Sequence, residues 1–193
     1  MEDQTSYFTK EFINKLVLES KVCMNSLSIQ IPFAYAVKLV NLNWNDILFA
    51  INNEYFNYKS AIEYAIDLLD EKELDERIIE LACLKPSEIN KEEIIEKYVN
   101  ELSNNSSKDE RNIAQEKIMY ILLSLLHDNI KDFEDPLQII EIIYDDFNFP
   151  KSIENFVRYM QIEKENTVLV IEQYYENWEQ YLAIQKSRFC PNN

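Results

Sequence analysis

The sequence predicts an all-α protein, and three observations lead to that prediction. None of the 193 residues is glycine, where average usage of about 7% would supply about 13. Apolar residues recur at helical spacing along nearly the whole chain, and no segment alternates apolar and polar residues for long enough to favour a strand. We therefore expect about nine helices packed as an irregular antiparallel bundle or a short helical array, with essentially no sheet.

The missing glycines also exclude several classes of enzyme. Phosphate-binding loops, dinucleotide fingerprints and nucleophile elbows need glycine where the backbone takes a positive φ or touches a ligand. An EF-hand needs glycine at the sixth position of its loop. Without glycine, we expect helix ends to be closed by Asn, which tolerates the left-handed conformation.

Proline and capping residues divide the first part of the chain into helices. An amphipathic helix is expected over residues 4–20, and a second begins at Pro32, whose fixed φ suits a first helical turn. Asn43 then caps a third helix, Trp44 to Asn52.

Three more helices are expected before the middle of the chain. The first covers residues 60–70, and Asp75 caps the second, which Pro86 ends. The third covers residues 88–102. The inward stripe of the 60–70 helix is predicted to be Ile62, Ala65, Ile66 and Leu69.

A polar run divides the chain near its centre. The run from Ser103 to Lys108 is polar, short and without periodicity, which is typical of a loop. We expect one helical domain over residues 1–193, in which this loop separates two possible lobes, 1–103 and 108–193.

The second part of the chain should hold the most buried helix. Only Ser124 interrupts the apolar run from Ile118 to Leu126, so this helix should lie at the centre. Asp135 and Pro136 start the next helix, and Pro150 starts another. Their predicted inward residues are Ile140, Ile143, Tyr144 and Phe147, and then Ile153, Phe156, Val157 and Met160. The last helix, near 167–187, should bury Val168, Ile171, Tyr175, Trp178 and Leu182.

The charge balance limits the classes of partner. Thirty-five acidic residues against 19 basic ones give a formal charge of −16, which repels nucleic-acid backbones and anionic lipid headgroups. Such a field speeds association with a basic protein, and it also simply keeps a protein in solution. We expect no direct nucleic-acid binding and no membrane insertion.

Cysteine and histidine are too few for the common reactive sites. Three scattered cysteines form no disulfide framework and no zinc motif, which favours a reducing cytoplasm. His127, the single histidine, is expected to have a structural role at the end of the most buried helix, where the helix dipole favours a positive imidazole.

Carboxylates could still build a magnesium site. Glu92, Glu93 and Glu96 match the first half of the EExxE and ExxD signature of all-α nucleotide pyrophosphatases. No ExxD follows at the expected distance, and one five-residue match is weak in a chain so rich in Glu. No other cofactor is indicated.

The acidic residues that cost stability are the ones that suggest a partner. Asp145 and Asp146 fall in the last turn of their helix, where the dipole disfavours them. Asp145 also follows Glu141 by four residues, a like-charge spacing that costs roughly 0.2–0.5 kcal/mol. A similar arrangement occurs earlier, at Glu63, Asp67 and Asp70. These six residues predict a negative surface kept for a partner, and neutral drift at exposed positions is the competing explanation.

Several stretches resemble a known family. They are Ile31-Pro-Phe-Ala-Tyr, Val40-Asn-Leu-Asn-Trp-Asn-Asp-Ile-Leu-Phe-Ala, Ala61-Ile-Glu-Tyr-Ala-Ile-Asp and Glu80-Leu-Ala. Over about residues 30–85 the chain is similar to a bacterial family of small proteins classified as a domain of unknown function. The resemblance implies a bacterial cytoplasmic protein and transfers no catalytic residue.

Three functions are compatible with this sequence. Size, acidity and helicity are similar to those of immunity proteins that neutralise toxins, so the leading hypothesis is a non-enzymatic protein that binds a basic toxin, such as a nuclease, through an acidic helical face. The alternatives are a magnesium-dependent hydrolase using the three glutamates, and a scaffold whose helical groove would show an exposed apolar patch.

Overall fold

The computed structural model describes residues 24–70, 75–84, 92–103, 107–158 and 167–190. Within these ranges the regular secondary structure is entirely helical, with eight α-helices and no strand. The predicted all-α class is therefore confirmed. The helix expected over residues 4–20 lies outside the described residues.

The helices vary from two to six turns in length. In chain order they are α1 (Phe33–Leu39), α2 (Trp44–Asn52), α3 (Tyr58–Asp70), α4 (Glu76–Ala82), α5 (Glu92–Leu102), α6 (Lys108–Asp128), α7 (Pro136–Asp146) and α8 (Thr167–Phe189). Single 3-10 turns, Ile130–Asp132 and Glu154–Phe156, follow α6 and α7. None of these helices is both long and apolar enough to cross a membrane.

Helix α6 lies at the centre of the packing, as its apolar sequence predicts. Every residue from Ile118 to Ser124 is buried, and α6 packs against α2, α7 and α8. Helices α3, α4 and α5 pack against one another, and α5 also contacts α2. The core therefore includes helices from both sides of residues 103–108, and the division into two lobes stays a prediction.

The predicted N-terminal caps are present. The Asn43 side chain accepts a hydrogen bond from the Asp46 amide at 3.1 Å, and the Asp46 carboxylate accepts one from the Asn43 amide at 2.8 Å. This reciprocal pair is a capping box, which satisfies two amides that a helix start leaves free. Asp75 caps α4 by accepting a hydrogen bond from the Arg77 amide, and Asp135 caps α7 by accepting one from the Gln138 amide. Pro32 is the N-cap of α1, so this helix begins at Phe33, one residue later than expected.

Left-handed residues close two of the helices. Asn148 follows α7 with φ of 60°, and the Phe149 amide donates to the Tyr144 carbonyl at 2.9 Å. This is a Schellman ending with Asn in the position that usually holds glycine, as the glycine-free sequence predicts. Helix α2 ends in the same way, but its left-handed residue is Glu54, also with φ of 60°.

Replacing Glu54 by glycine is expected to stabilise the protein. The left-handed conformation costs an ordinary residue roughly 1–2 kcal/mol, and the greater freedom of unfolded glycine offsets up to about 1 kcal/mol of that. The free energy of unfolding, measured by urea denaturation, should rise by about 0.5–1 kcal/mol. The matched change Glu172→Gly, at an exposed position inside α8, should lower it by about 1 kcal/mol. A loss in both variants would contradict a left-handed Glu54.

Three predictions of helix geometry are wrong. Pro150 starts no α-helix: the chain forms a turn and then the 3-10 turn Glu154–Phe156, whose hydrogen bonds join residues three apart. Three-residue spacing suffices to bury Ile153 and Phe156 together, because side chains three residues apart eclipse in a 3-10 helix. Met160 lies outside the described ranges.

The inward face of α8 is also rotated from the predicted one. Ile171 is 42% exposed, and the buried residues lie beside it in the helical projection, at Tyr174, Trp178, Tyr181, Gln185 and Phe189. On α3, similarly, Ile66 is exposed, and Ala61, Ile62, Ala65 and Leu68 face the core.

Candidate functional site

The six acids predicted to bind a partner lie on two helices. Glu141, Asp145 and Asp146 are on α7, and Glu63, Asp67 and Asp70 are on α3. Helix α7 packs on α6, and α3 packs mainly on α4. The surroundings of the individual carboxylates decide which of them are available to a partner.

Glu141 is neutralised within the protein. The Arg158 Nε lies 2.6 Å from the Glu141 carboxylate, and the Arg158 Nη1 lies 2.8 Å from that of Asp135. The hydrogen bond to Glu141 raises the pKa of Arg158 despite partial burial. Burial alone would raise the pKa of Asp135, but hydrogen bonds from Arg158 and from the Gln138 amide outweigh it and lower that pKa. Arg158 thereby offsets the like-charge repulsion between Glu141 and Asp145.

Asp146 holds a loop in place. Its carboxylate accepts hydrogen bonds from the Ser26 amide at 2.9 Å and from the Ser26 hydroxyl. The buried Asn25 side chain stabilises the same loop, since it donates to the Ile29 and Glu54 carbonyls at 2.9 and 3.1 Å. Asp146 therefore attaches residues 24–30 to the end of α7.

The remaining predicted acids differ in exposure. Glu63 forms an ion pair with Lys59 at 2.8 Å, one helical turn away. Asp67 is exposed and lines a polar depression between α1 and α3. Asp145 is exposed, and no hydrogen bond or ion pair joins its side chain to the described part of the chain. The Asp70 side chain lies outside the description. Among the five predicted acids whose side chains are described, Asp67 and Asp145 are the exposed ones.

The predicted magnesium ligands lie on α5. Glu93 is exposed, Glu96 is partly buried, and the Glu92 side chain lies outside the described set. Among the residues that the structure describes, no group of three or more His, Cys, Asp or Glu side chains could hold a metal ion. Because Glu92 is not part of that set, the magnesium hydrolase stays an untested prediction.

His127 has packing neighbours. Its ring meets the Trp178 ring edge-on at 5.1 Å between centroids, and its Nε2 lies 3.7 Å from the Glu179 carboxylate. It lies in the last turn of α6, as predicted. These contacts join the end of α6 to the middle of α8.

The structure contains an apolar groove, whose position and lining the sequence did not predict. It has a volume of about 460 Å³ and lies between α6, α7 and the loop at residues 24–30. Its apolar lining consists of Leu27, Ile29, Leu122, Leu125, Leu126, Phe133, Ile139 and Ile143. Phe133 and Leu27 keep 40% and 37% of their surface exposed, so the groove presents apolar edges to solvent. This volume is typical of binding pockets, which are mostly apolar with a few polar groups.

One acidic residue lines the groove, and two more lie close to the lining residues in the sequence. Asp132 lies in its lining, and Asp128 and Glu134 are exposed on either side in the sequence. We call Asp128, Asp132 and Glu134 the acidic margin. Lys131 is the one base in the segment from 128 to 134. The Asp128 carboxylate also accepts a hydrogen bond from the Tyr35 hydroxyl at 2.8 Å, which joins α1 to the end of α6.

Comparison with known proteins identifies a family. The family model described as "Uncharacterized protein conserved in bacteria (DUF2247)" matches residues 33–186, a span that includes α1 to α7 and most of α8. The resemblance to a bacterial family of unknown function is therefore confirmed. No curated protein and no solved structure matched the chain significantly.

Proposed function

We propose that this chain, which belongs to the bacterial family DUF2247, binds a basic protein through the apolar groove and its acidic margin. In its most concrete form, the proposal is that this protein is a non-enzymatic cytoplasmic immunity protein that blocks a cognate toxin. The partner inserts an apolar side chain beside Phe133, and a neighbouring Lys or Arg pairs with Asp132.

The observation that carries this proposal is the position of Asp132, with Asn129 as the other polar residue, in the lining of a mostly apolar groove. Protein interfaces combine a buried apolar centre with a polar rim, and a few aromatic anchors supply most of the binding energy. Phe133 is a suitable anchor because it is both part of the groove and 40% exposed.

The net charge supports a basic partner. At −16, the protein would attract a positively charged protein over distances of about a Debye length, which is about 8 Å at physiological ionic strength. Exposed Asp67 and Asp145 add to that field without lining the groove. A toxin nuclease suits this surface because its nucleic-acid site is already basic.

The groove equally suits a scaffold or assembly subunit. The two functions differ in their effect on the partner, since an immunity protein abolishes the partner's activity and a scaffold leaves it intact. An assay of the partner's activity therefore separates them.

The test uses the purified product of the neighbouring gene as the candidate partner. Calorimetry at low salt should show binding, and Phe133→Ala should weaken it by more than about tenfold, as expected of an aromatic anchor. Asp132→Asn should slow association and reduce its salt dependence.

Two matched variants control for general effects. Phe149→Ala removes an aromatic side chain that is 52% exposed and outside the groove, and Asp109→Asn removes an exposed charge at the other end of α6. Both should bind as the wild type does. The proposal fails if nothing binds at low ionic strength, or if the Phe133 and Phe149 variants bind equally well.

A further inference from the structure

A polar pocket lies between α2 and the first half of α6, and it is separate from the apolar groove. Its volume is about 220 Å³. Five carboxamide side chains line it together with one arginine and two apolar residues: Asn45, Asn52, Asn53, Asn112 and Gln115, then Arg111, Leu48 and Phe49. None of these residues lines the groove. The described lining of this pocket contains no acidic residue, which is unusual in a chain with a net charge of −16.

Contacts between packed helices hold the walls of the pocket in place. Its α2 residues follow one another at i, i+3, i+4 and i+7, so they share one face of that helix over about 10 Å. The Lys117 ammonium joins α6 to the Asp46 carboxylate of α2 at 2.7 Å. The Gln115 side chain donates to the Phe147 carbonyl at 3.2 Å. Groups on such elements are positioned more precisely than groups on loops, so the pocket is formed in advance of any ligand.

Three of the carboxamides keep unused hydrogen-bonding capacity. The side chains of Asn45, Asn52 and Asn112 form no hydrogen bond with the part of the chain that the structure describes. The side-chain oxygen of Asn45 is also buried there without a donor, which is unfavourable for an acceptor. A ligand that donates an N–H group would satisfy this oxygen.

Arg111 gives the pocket a positive charge that no acid of the described chain neutralises. The sequence contains four arginines, and the other three, Arg77, Arg158 and Arg188, each form an ion pair. Arg111 is exposed and has no ion pair within the described ranges. A guanidinium group binds a carboxylate through two parallel hydrogen bonds. Arg111 therefore favours a carboxylate ligand.

The rest of the lining defines the remainder of that ligand. Each carboxamide both donates and accepts hydrogen bonds, so it complements the N–H and C=O of a peptide-like amide. Leu48 and Phe49 offer a contact for an apolar side chain. Pockets with a few fixed polar groups beside apolar contacts are typical sites for small ligands.

We propose that this pocket binds a carboxylate that is preceded by an amide, as in an N-acylated amino acid or the last residue of a peptide. Arg111 holds the carboxylate, the Asn45 oxygen accepts from the amide N–H, and the ligand's side chain contacts Phe49. The inference does not depend on the function proposed above, because the two sites share no residue.

NMR titration of the ¹⁵N-labelled full chain with N-acetyl-leucine tests this site. The side-chain NH₂ signals of Asn45, Asn52 and Asn112 and the Nε–H signal of Arg111 should shift to saturation. We expect a Kd on the order of 1 mM, because a single exposed charge pair contributes little. N-acetyl-leucinamide, which lacks the carboxylate, should bind at least about tenfold more weakly. Equal binding of the two compounds, or shifts scattered over the surface, would overturn the proposal.

Variants of the full chain test the individual roles. Arg111→Gln should weaken the binding of N-acetyl-leucine by more than about tenfold. The matched variant Lys151→Gln removes an exposed charge outside the pocket and should bind as the wild type does. Asn45→Ala should also weaken binding but leave Tm unchanged, because that side chain forms no hydrogen bond within the described chain. Unchanged binding by either pocket variant would reject the site.

A longer probe distinguishes the two sources of this chemistry. The tetrapeptide N-acetyl-Ala-Ala-Ala-Leu ends in the same carboxylate and the same side chain. Binding at least as strong as that of N-acetyl-leucine would identify the end of a peptide chain as the ligand, whereas weaker binding would identify a small acylated amino acid. Failure of both probes to bind would overturn the proposal.

Discussion

Replacing Lys117 by methionine is expected to lower the free energy of unfolding by about 3–5 kcal/mol, the usual cost of removing one partner from a buried ion pair. The Lys117 ammonium lies 2.7 Å from the Asp46 carboxylate, and the two side chains are only 11% and 1% exposed. Lys117 also donates to the Asn41 carbonyl at 2.8 Å. Urea denaturation at neutral pH measures the loss.

The loss should depend on pH. Burial raises the pKa of Asp46, and hydrogen bonding and charge from Lys117 oppose that rise. In the methionine variant only the Asn43 amide opposes burial, so folded Asp46 keeps a proton at pH values where the unfolded chain has released it. The variant's free energy of unfolding should then fall as pH rises above about 4, the ordinary pKa of Asp. The difference from wild type should be smaller near pH 4 than near neutrality.

A double variant is the control for this pair. Asp46→Asn combined with Lys117→Met leaves no buried charge, and the Asn side-chain oxygen can still accept from the Asn43 amide in the capping box. It should recover most of the stability that the single Lys117 change removes. A single variant that loses less than about 1 kcal/mol would mean that Asp46 is accessible to water.

Trp178→Ala is expected to have an effect of similar size, about 3–5 kcal/mol. Trp178 is fully buried, with its ring edge-on to His127 and stacked on Tyr175 at 6.2 Å between centroids. Truncation to alanine removes these contacts and leaves a cavity between α6 and α8. The free energy of unfolding from urea or thermal denaturation measures the change.

Ile171→Ala is the matched control on the same helix. The sequence pattern places Ile171 on the inward stripe, whereas the structure leaves it 42% exposed. Its truncation should therefore change stability by no more than about 0.5 kcal/mol. Equal losses at positions 171 and 178 would contradict the observed orientation of α8.

The sequence predicts helices best where short-range chemistry determines them. Asn43, Asp75 and Asp135 all cap the helices they were expected to cap, because a capping bond involves residues only two or three positions apart. The buried face of α8 is not determined by short-range chemistry, because apolar residues lie on more than one side of this helix. A distant contact, the packing of Tyr181 on Phe156 at 5.6 Å, helps to decide which side is buried.

The groove could not be predicted either, because it also depends on contacts between distant parts of the chain. Its walls come from the loop at residues 24–30 and from α6 and α7, which follow much later in the chain, and none of these segments is unusual alone. The one local signal is Phe133, a large aromatic residue in an acidic connection between helices. Of the predicted acids, Glu141 and Asp146 bind Arg158 and Ser26 within the fold. The sequence does not reveal these contacts, because the partners are 17 and 120 residues away.

The C-terminal ends of α2 and α7 meet beside Met24, the first described residue. This junction affects how the molecule unfolds locally. Tyr55, just after the left-handed Glu54, stacks on Phe147 at 5.8 Å and holds Met24 through its hydroxyl. Fraying of either helix would therefore release the loop that walls the groove, so the three segments should exchange their amide hydrogens as one cooperative unit. Any occupant of the groove should slow that exchange and raise Tm in proportion to its binding free energy, even though it touches neither helix end.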